Sequence, residues 1–128
     1  MTRARHASIY LALPFWLLSA WPAVAHHSAA MFDRKTTQTL HGTVKDFQWT
    51  NPHGFIQLLV ASPSGAIEWS IEMQDPRAMF RHGWRPGIIK AGDTITVIIH
   101  PAWDGNKTVA FVSATDADGH SIGKAASQ

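Results

Sequence analysis

The chain has 128 residues, which suffices for one small domain with its own hydrophobic core and is too short for two. It contains no cysteine, so disulfide bonds, thiolate catalysis and thiolate metal sites are excluded. The formal net charge is only +2, and histidine, with eight copies, is the main side chain that could bind a transition metal.

The first 25 residues have the pattern of a cleavable export signal. Two arginines precede an apolar stretch at residues 7–21, and the small residues at 23–25, Ala-Val-Ala, are typical of a signal peptidase site. The stretch is shorter than the roughly 20 apolar residues of a membrane span and contains Pro14, which favours cleavage over an uncleaved anchor. We therefore predict a signal peptide at 1–25 and a periplasmic protein that is not embedded in the membrane after cleavage.

Cleavage after Ala25 would leave 103 residues with nine basic and nine acidic side chains. This balance argues against a nucleic acid partner, because phosphate binding relies on clustered Lys and Arg. The predicted organisation is the signal peptide at 1–25, an N-terminal arm at 26–39, and a barrel domain with a short polar tail at 40–128.

Short strands are predicted from Leu40 onward. The first strand alternates and then shifts its apolar phase near Lys45-Asp46, which indicates a bulge or sharp bend. Residues 51–54, Asn-Pro-His-Gly, are typical of a turn, and a second strand follows at 55–61. A third strand at 67–73 alternates strictly between apolar and polar side chains, so one of its faces should be buried.

The sequence period changes after the third strand. Asp75 is a candidate N-cap, Pro76 suits the first helical position, and Gly83 is placed to end a short helix. Two more strands are predicted at 94–100 and 108–115. The polar tail that follows has room for a small hairpin at its Asp-Gly pair.

Three strands, one short helix and two further strands predict an all-β fold, a five-stranded barrel of the OB (oligonucleotide/oligosaccharide-binding) type. A bent first strand fits this fold, because that strand pairs in both halves of the barrel. Another small β-barrel or a β-sandwich fragment has the same order of elements and stays open at this point.

Several short motifs lie along the chain after residue 24. They are Ala-His-His-Ser at 25–28, Phe-Asp at 32–33, Leu-x-Gly-Thr-Val at 40–44, Trp-x-Asn-Pro-His at 49–53, Arg-x-Gly-Trp at 81–84 and Gly-Asp at 92–93. Together they resemble a family of small exported bacterial proteins of unknown function. The resemblance implies a small β-barrel in the periplasm and brings no activity or substrate.

The two histidines at the start of the predicted mature chain suggest a metal site. After cleavage the α-amine of His26 would lie beside its own imidazole, and copper(II) favours such nitrogen-rich, tetragonal ligand sets. We expect His27 and His53 to complete the site, since the turn that carries His53 lies at the rim where OB barrels dock ligands. Ser28 and Asp33 are expected to orient the imidazoles through hydrogen bonds. The remaining histidines are expected to be surface or partly buried residues and not ligands: His41, His82, His100 and His120.

A ligand that is not a metal is the alternative. Trp49 and Trp103 flank turns, with Asn51 beside them, and could stack against an oligosaccharide, a peptide or a small hydrophobic ligand. Trp69 and Trp84 are expected to lie in the core.

Catalysis is the third and weakest alternative. The chain has no nucleophile elbow, zinc-protease helix or phosphate loop. A copper oxygenase that begins with a histidine would place its chemistry on a larger scaffold. We therefore expect a binding protein and not an enzyme.

Overall fold

The computed structural model describes residues 29–124 and contains five strands and one short α-helix in that range. The strands are β1 (Gln38–Gln48), β2 (Phe55–Ser62), β3 (Gly65–Glu72), β4 (Thr94–His100) and β5 (Thr108–Thr115). Helix α1 (Pro76–Arg81) lies between β3 and β4, and a 3-10 turn at Ala29–Met31 precedes β1. Among the described residues, no helix has the length and hydropathy of a membrane span.

The strands form a closed barrel in the order β1-β2-β3-β5-β4. β1 closes it, because residues 38–43 pair with β4 and residues 43–48 pair with β2. The register of β1 against β2 shifts between Val44 and Asp46, which confirms the predicted bulge. β3 and β5 run parallel, and the other pairs are antiparallel. The predicted OB-like barrel is therefore the observed fold.

One cluster of apolar side chains from all five strands fills the barrel. Trp69 and Trp84 both belong to it, as their positions in the sequence predict. Trp84 packs edge-on against Phe111, with 5.3 Å between ring centroids. Edge-to-face contacts of this kind stabilise aromatic pairs beyond the burial of their area.

Helix α1 is bounded by the residues predicted from the sequence. The Asp75 carboxylate accepts a hydrogen bond from the amide of Ala78 at 2.9 Å, and Pro76 is the first helical residue. Gly83 follows the helix with a φ of +84°, a conformation that glycine adopts without steric penalty. The helix buries Ala78 and Met79 against the barrel.

Both ends of the described chain pack against the barrel, and more closely than the sequence predicts for an arm and a polar tail. Phe32 in the arm is only 6% exposed and forms a β-bridge with Ala102. In the tail, the predicted turn forms around Gly119, and Ile122 after it joins the core cluster. Neither Phe32 nor Ile122 belongs to a periodic apolar pattern, which is why the sequence did not indicate these two contacts.

Candidate functional site

Two loops at the ends of strands carry most of the predicted site residues that the structure describes. The loop between β1 and β2 carries three of the predicted site residues, Trp49, Asn51 and His53. The loop between β4 and β5 carries Trp103. We call them the β1–β2 rim and the β4–β5 rim. The predicted ligand site should lie between them.

A row of paired residues crosses the four strands that separate the rims. Phe55 pairs with Glu72, Glu72 with Ala110, and Ala110 with His100. β2 and β4 run in the same direction across this row. The β1–β2 loop comes just before Phe55, at the start of β2, and the β4–β5 loop comes just after His100, at the end of β4. The two loops therefore lie on opposite sides of this row of paired residues.

His53 is held with one ring nitrogen turned toward the protein. Its Nδ1 lies 3.1 Å from the carbonyl oxygen of Met73 and 3.6 Å from Oε1 of Glu72. A carbonyl oxygen only accepts, so we assign the proton to Nδ1, which leaves the lone pair on Nε2 in the neutral ring. The side chain is 39% exposed. Proteins orient a histidine that binds a metal through Nε2 in this way.

The N-terminal arm joins the barrel at the β4–β5 rim. Two backbone hydrogen bonds hold it there and together form the β-bridge of Phe32 with Ala102. One runs from Asp33 N to Pro101 O (2.8 Å) and the other from Trp103 N to Met31 O (3.1 Å). The arm is therefore fixed to the same loop that presents Trp103.

The described part of the arm includes one of the predicted site residues. Residues 26–28, with both N-terminal histidines and Ser28, lie outside the described residues. The carboxylate of Asp33 closes a turn, since Oδ1 accepts from the Lys35 amide (3.0 Å) and Oδ2 from the Thr36 hydroxyl (2.9 Å). The contacts described for Asp33 shape the entry into β1, and its predicted role toward an imidazole stays a prediction.

The arm and His53 belong to different rims. At the usual spacing of paired strands, the row between β4 and β2 covers about 14 Å around the barrel. Residues 26–28 can add at most about 10 Å of extended chain. The described arm and His53 are thus not neighbours, and a metal shared by both would require the chain before Ala29 to extend across β5 and β3.

The two rim tryptophans differ in exposure. Trp103 is 65% exposed. Trp49 is half-buried, packs against the core cluster and contacts Phe47 edge-on at 6.0 Å. Asn51 is exposed in the same loop as Trp49. Trp103 is therefore the more available aromatic surface.

A family model of unknown function, DUF6152, matches residues 16–111, which is most of the chain. The chain belongs to this family. Neither the curated proteins nor the solved structures gave a match. Membership agrees with the suspected family of uncharacterised proteins and carries no activity with it.

This DUF6152 member has a further group of potential ligands, in its C-terminal turn, that the sequence reasoning missed. Asp116, Asp118 and His120 bring ligand atoms within 4.8 Å of one another. Oδ1 of Asp116 accepts from the amides of Asp118 (3.0 Å) and His120 (2.8 Å). The His120 amide is the main cause that lowers the pKa of Asp116. These contacts show that the three side chains are brought together by a hairpin turn. Their spacing of every second residue is the feature of the sequence that could have indicated the group.

Two other histidines of this DUF6152 protein have structural partners. His100 is buried, and its Nδ1 lies 2.8 Å from the carbonyl oxygen of Thr36. Nδ1 of His41 lies 3.0 Å from Oγ1 of Thr96 on the neighbouring strand. His41 lies at the surface as expected, whereas His100 is more deeply buried than expected, because its ring packs under the arm and contacts the Thr36 carbonyl.

Proposed function

We propose that this protein is exported to the periplasm, loses residues 1–25 and binds a divalent metal through its new N-terminus. The most specific form of this proposal is that the metal is copper(II). The proposed ligands are the α-amine and imidazole of His26 and the backbone amide or imidazole of His27. The protein acts as a binding protein and not as an enzyme.

The fixed position of the arm is the observation that carries this proposal. A metal site at a free chain end has to order that end, at about 1–2 kcal/mol per residue of backbone entropy. In this protein the contacts of Phe32 with Ala102 and of Asp33 with Pro101 fix the chain just after the histidines. Ligands attached to a fixed segment bind with a smaller entropic cost.

His53 is the proposed fourth ligand, through Nε2. Its support is the hydrogen bond from Nδ1 to the Met73 carbonyl, which leaves the outer nitrogen free for a metal. Because His53 lies on the opposite rim and residues 26–28 add only about 10 Å of chain against about 14 Å across β5 and β3, it can join the site only if its imidazole and that of His26 or His27 bridge the remaining distance. The role of His53 is therefore tested separately from that of the α-amine.

The test uses protein that cells have exported and processed, with its N-terminus read by mass spectrometry. Copper(II) titration followed by EPR should show one equivalent of copper in a nitrogen-rich environment. One alanine inserted before His26 should weaken binding at least tenfold, because it removes the amine from the chelate. The matched control carries the same insertion after Ser64, in an exposed turn. Equal binding by the two insertion variants and the parent would contradict the α-amine site.

The contribution of His53 is read from the same spectra. His53→Gln should remove one nitrogen from the hyperfine pattern and weaken binding. His41→Gln is the control, because His41 is exposed and its Nδ1 also has a neutral oxygen partner. A spectrum that is identical for both variants would restrict the site to the arm.

A second candidate function, favoured by the exposure of Trp103, is binding of an oligosaccharide, a peptide or a small hydrophobic ligand at the rims. Quenching of tryptophan fluorescence by soluble oligosaccharides and by a hydrophobic dye tests it. Trp103→Ala should abolish quenching and Trp49→Ala should reduce it, while the extension before His26 should have no effect.

A further inference from the structure

A groove opens at one end of the barrel, between the loop that precedes β4 and the C-terminal turn. Its volume is about 440 Å³, within the range of small-ligand sites. Its apolar lining is isoleucine: Ile88 is 40% exposed, and Ile89, Ile95 and Ile122, which also line the groove, are buried in the core. Three carboxylates lie along the wall, namely Asp93, Asp116 and Asp118.

The charge of this groove has one sign. Among the described residues that line it there is no lysine, arginine or histidine. His120 lies just outside, with its Nδ1 3.3 Å from Oδ2 of Asp116, and the backbone amide of Lys90 donates to Oδ2 of Asp93 at 2.8 Å. Three carboxylate residues and no cationic residue line the groove, so its field favours a cation.

We propose that this groove binds a cation that carries an apolar group, such as a protonated amine on a short alkyl or aryl chain. The apolar part would lie against the exposed Ile88, and the ammonium would meet the carboxylates at the wall. Charge complementarity selects this occupant over a neutral or anionic molecule of equal size. No part of the groove involves residues 26–28, so its failure would leave the proposed N-terminal metal site untouched.

Three probes of equal apolar length and different charge test this proposal, namely hexylamine, hexanol and hexanoate at pH 7. Each is titrated into isotope-labelled processed protein while amide signals are followed by NMR. Hexylamine should shift the amides of Asp93, Ile95 and Ile122 and bind about tenfold more tightly than hexanol, and hexanoate should bind least. Equal affinity for hexylamine and hexanol, or shifts that lie elsewhere, would overturn the proposal.

Matched carboxamide variants locate the charge that matters. Asp93→Asn combined with Asp118→Asn should remove the preference for hexylamine while hexanol binds as before. Asp104→Asn is the control, because the Asp104 carboxylate also accepts a turn amide, that of Asn106 at 2.9 Å, but lies on the β4–β5 loop. If the Asp104 variant also lost its preference for hexylamine over hexanol, the preference would reflect the net charge of the protein and the groove would not be the binding site.

A steric variant and a metal probe complete the test. Ser121→Trp, at the exposed edge of the groove, should block hexylamine and hexanol alike. Zinc(II) added alone should leave the groove amides unshifted. Tight zinc binding at Asp116, Asp118 and His120 that excludes hexylamine would assign these carboxylates to a metal and overturn the proposal.

Discussion

Replacing Phe32 with alanine tests whether the N-terminal arm is part of the folded domain. Phe32 is 6% exposed and bridges Ala102, but it lies outside the central core cluster. The arm carries the proposed metal ligands, so the same substitution bears on stability and on copper binding.

The size of the effect follows from the buried area. A phenylalanine buries about 150–250 Å². At about 25 cal/mol per Å² this area corresponds to about 4–6 kcal/mol, which is an upper estimate because unfolded chains already bury part of it. We expect Phe32→Ala to lower the free energy of unfolding by about 2–4 kcal/mol.

Urea unfolding followed by the fluorescence of the buried tryptophans measures this change. Met31→Ala is the matched control, since Met31 is the preceding residue and is 36% exposed, and it should change stability by at most about 0.5 kcal/mol. Phe32→Ala should also weaken copper binding, although it removes no nitrogen ligand. If the two variants were equally stable, Phe32 would not anchor the arm, and the main support for the metal proposal would be lost.

Two further substitutions test the fold. Trp69→Ala should lower the free energy of unfolding by about 3–5 kcal/mol in urea, because it empties a large core position, and a variant as stable as the parent would show that the inward face of β3 is misassigned. Asp75→Ala should lower the urea midpoint by removing the helix cap. The hydrogen bond from the Ala78 amide lowers the pKa of the Asp75 carboxyl below that of an ordinary aspartate, so the stabilisation is full above the ordinary pKa and is lost as the pH falls through the folded-state pKa. The difference between parent and variant should therefore shrink between pH 5 and pH 2, and a constant difference would argue against the charged cap.

The elements of the barrel could be predicted because their signals are local. The alternation of β3 identified Trp69 and Ile71 as core residues, and Asp75 and Gly83 gave the limits of the helix. Ile67 follows the same alternation but is 38% exposed. β5 pairs only with residues 70–72 of β3, so the start of β3 extends beyond the closed part of the barrel.

The site was less predictable because it depends on contacts between distant segments. The rim position of His53 follows from the order of the strands, which the sequence indicates. The contact of Phe32 with Ala102 joins two segments far apart in the chain, and neither segment has a periodic pattern that indicates its partner. Without that contact, the sequence could not show that the arm and His53 meet different rims.

The double pairing of β1 has a consequence for the order in which the chain folds. β1 is the first strand to be synthesised, but its residues 38–43 pair with β4, and β4 joins β3 only through β5. The barrel therefore cannot close before β5 (Thr108–Thr115) has been synthesised. Such long-range pairing gives a high contact order, and folding rates fall as contact order rises. A newly made chain therefore passes through a long interval with open strand edges, during which any machinery that needs it unfolded can act on it.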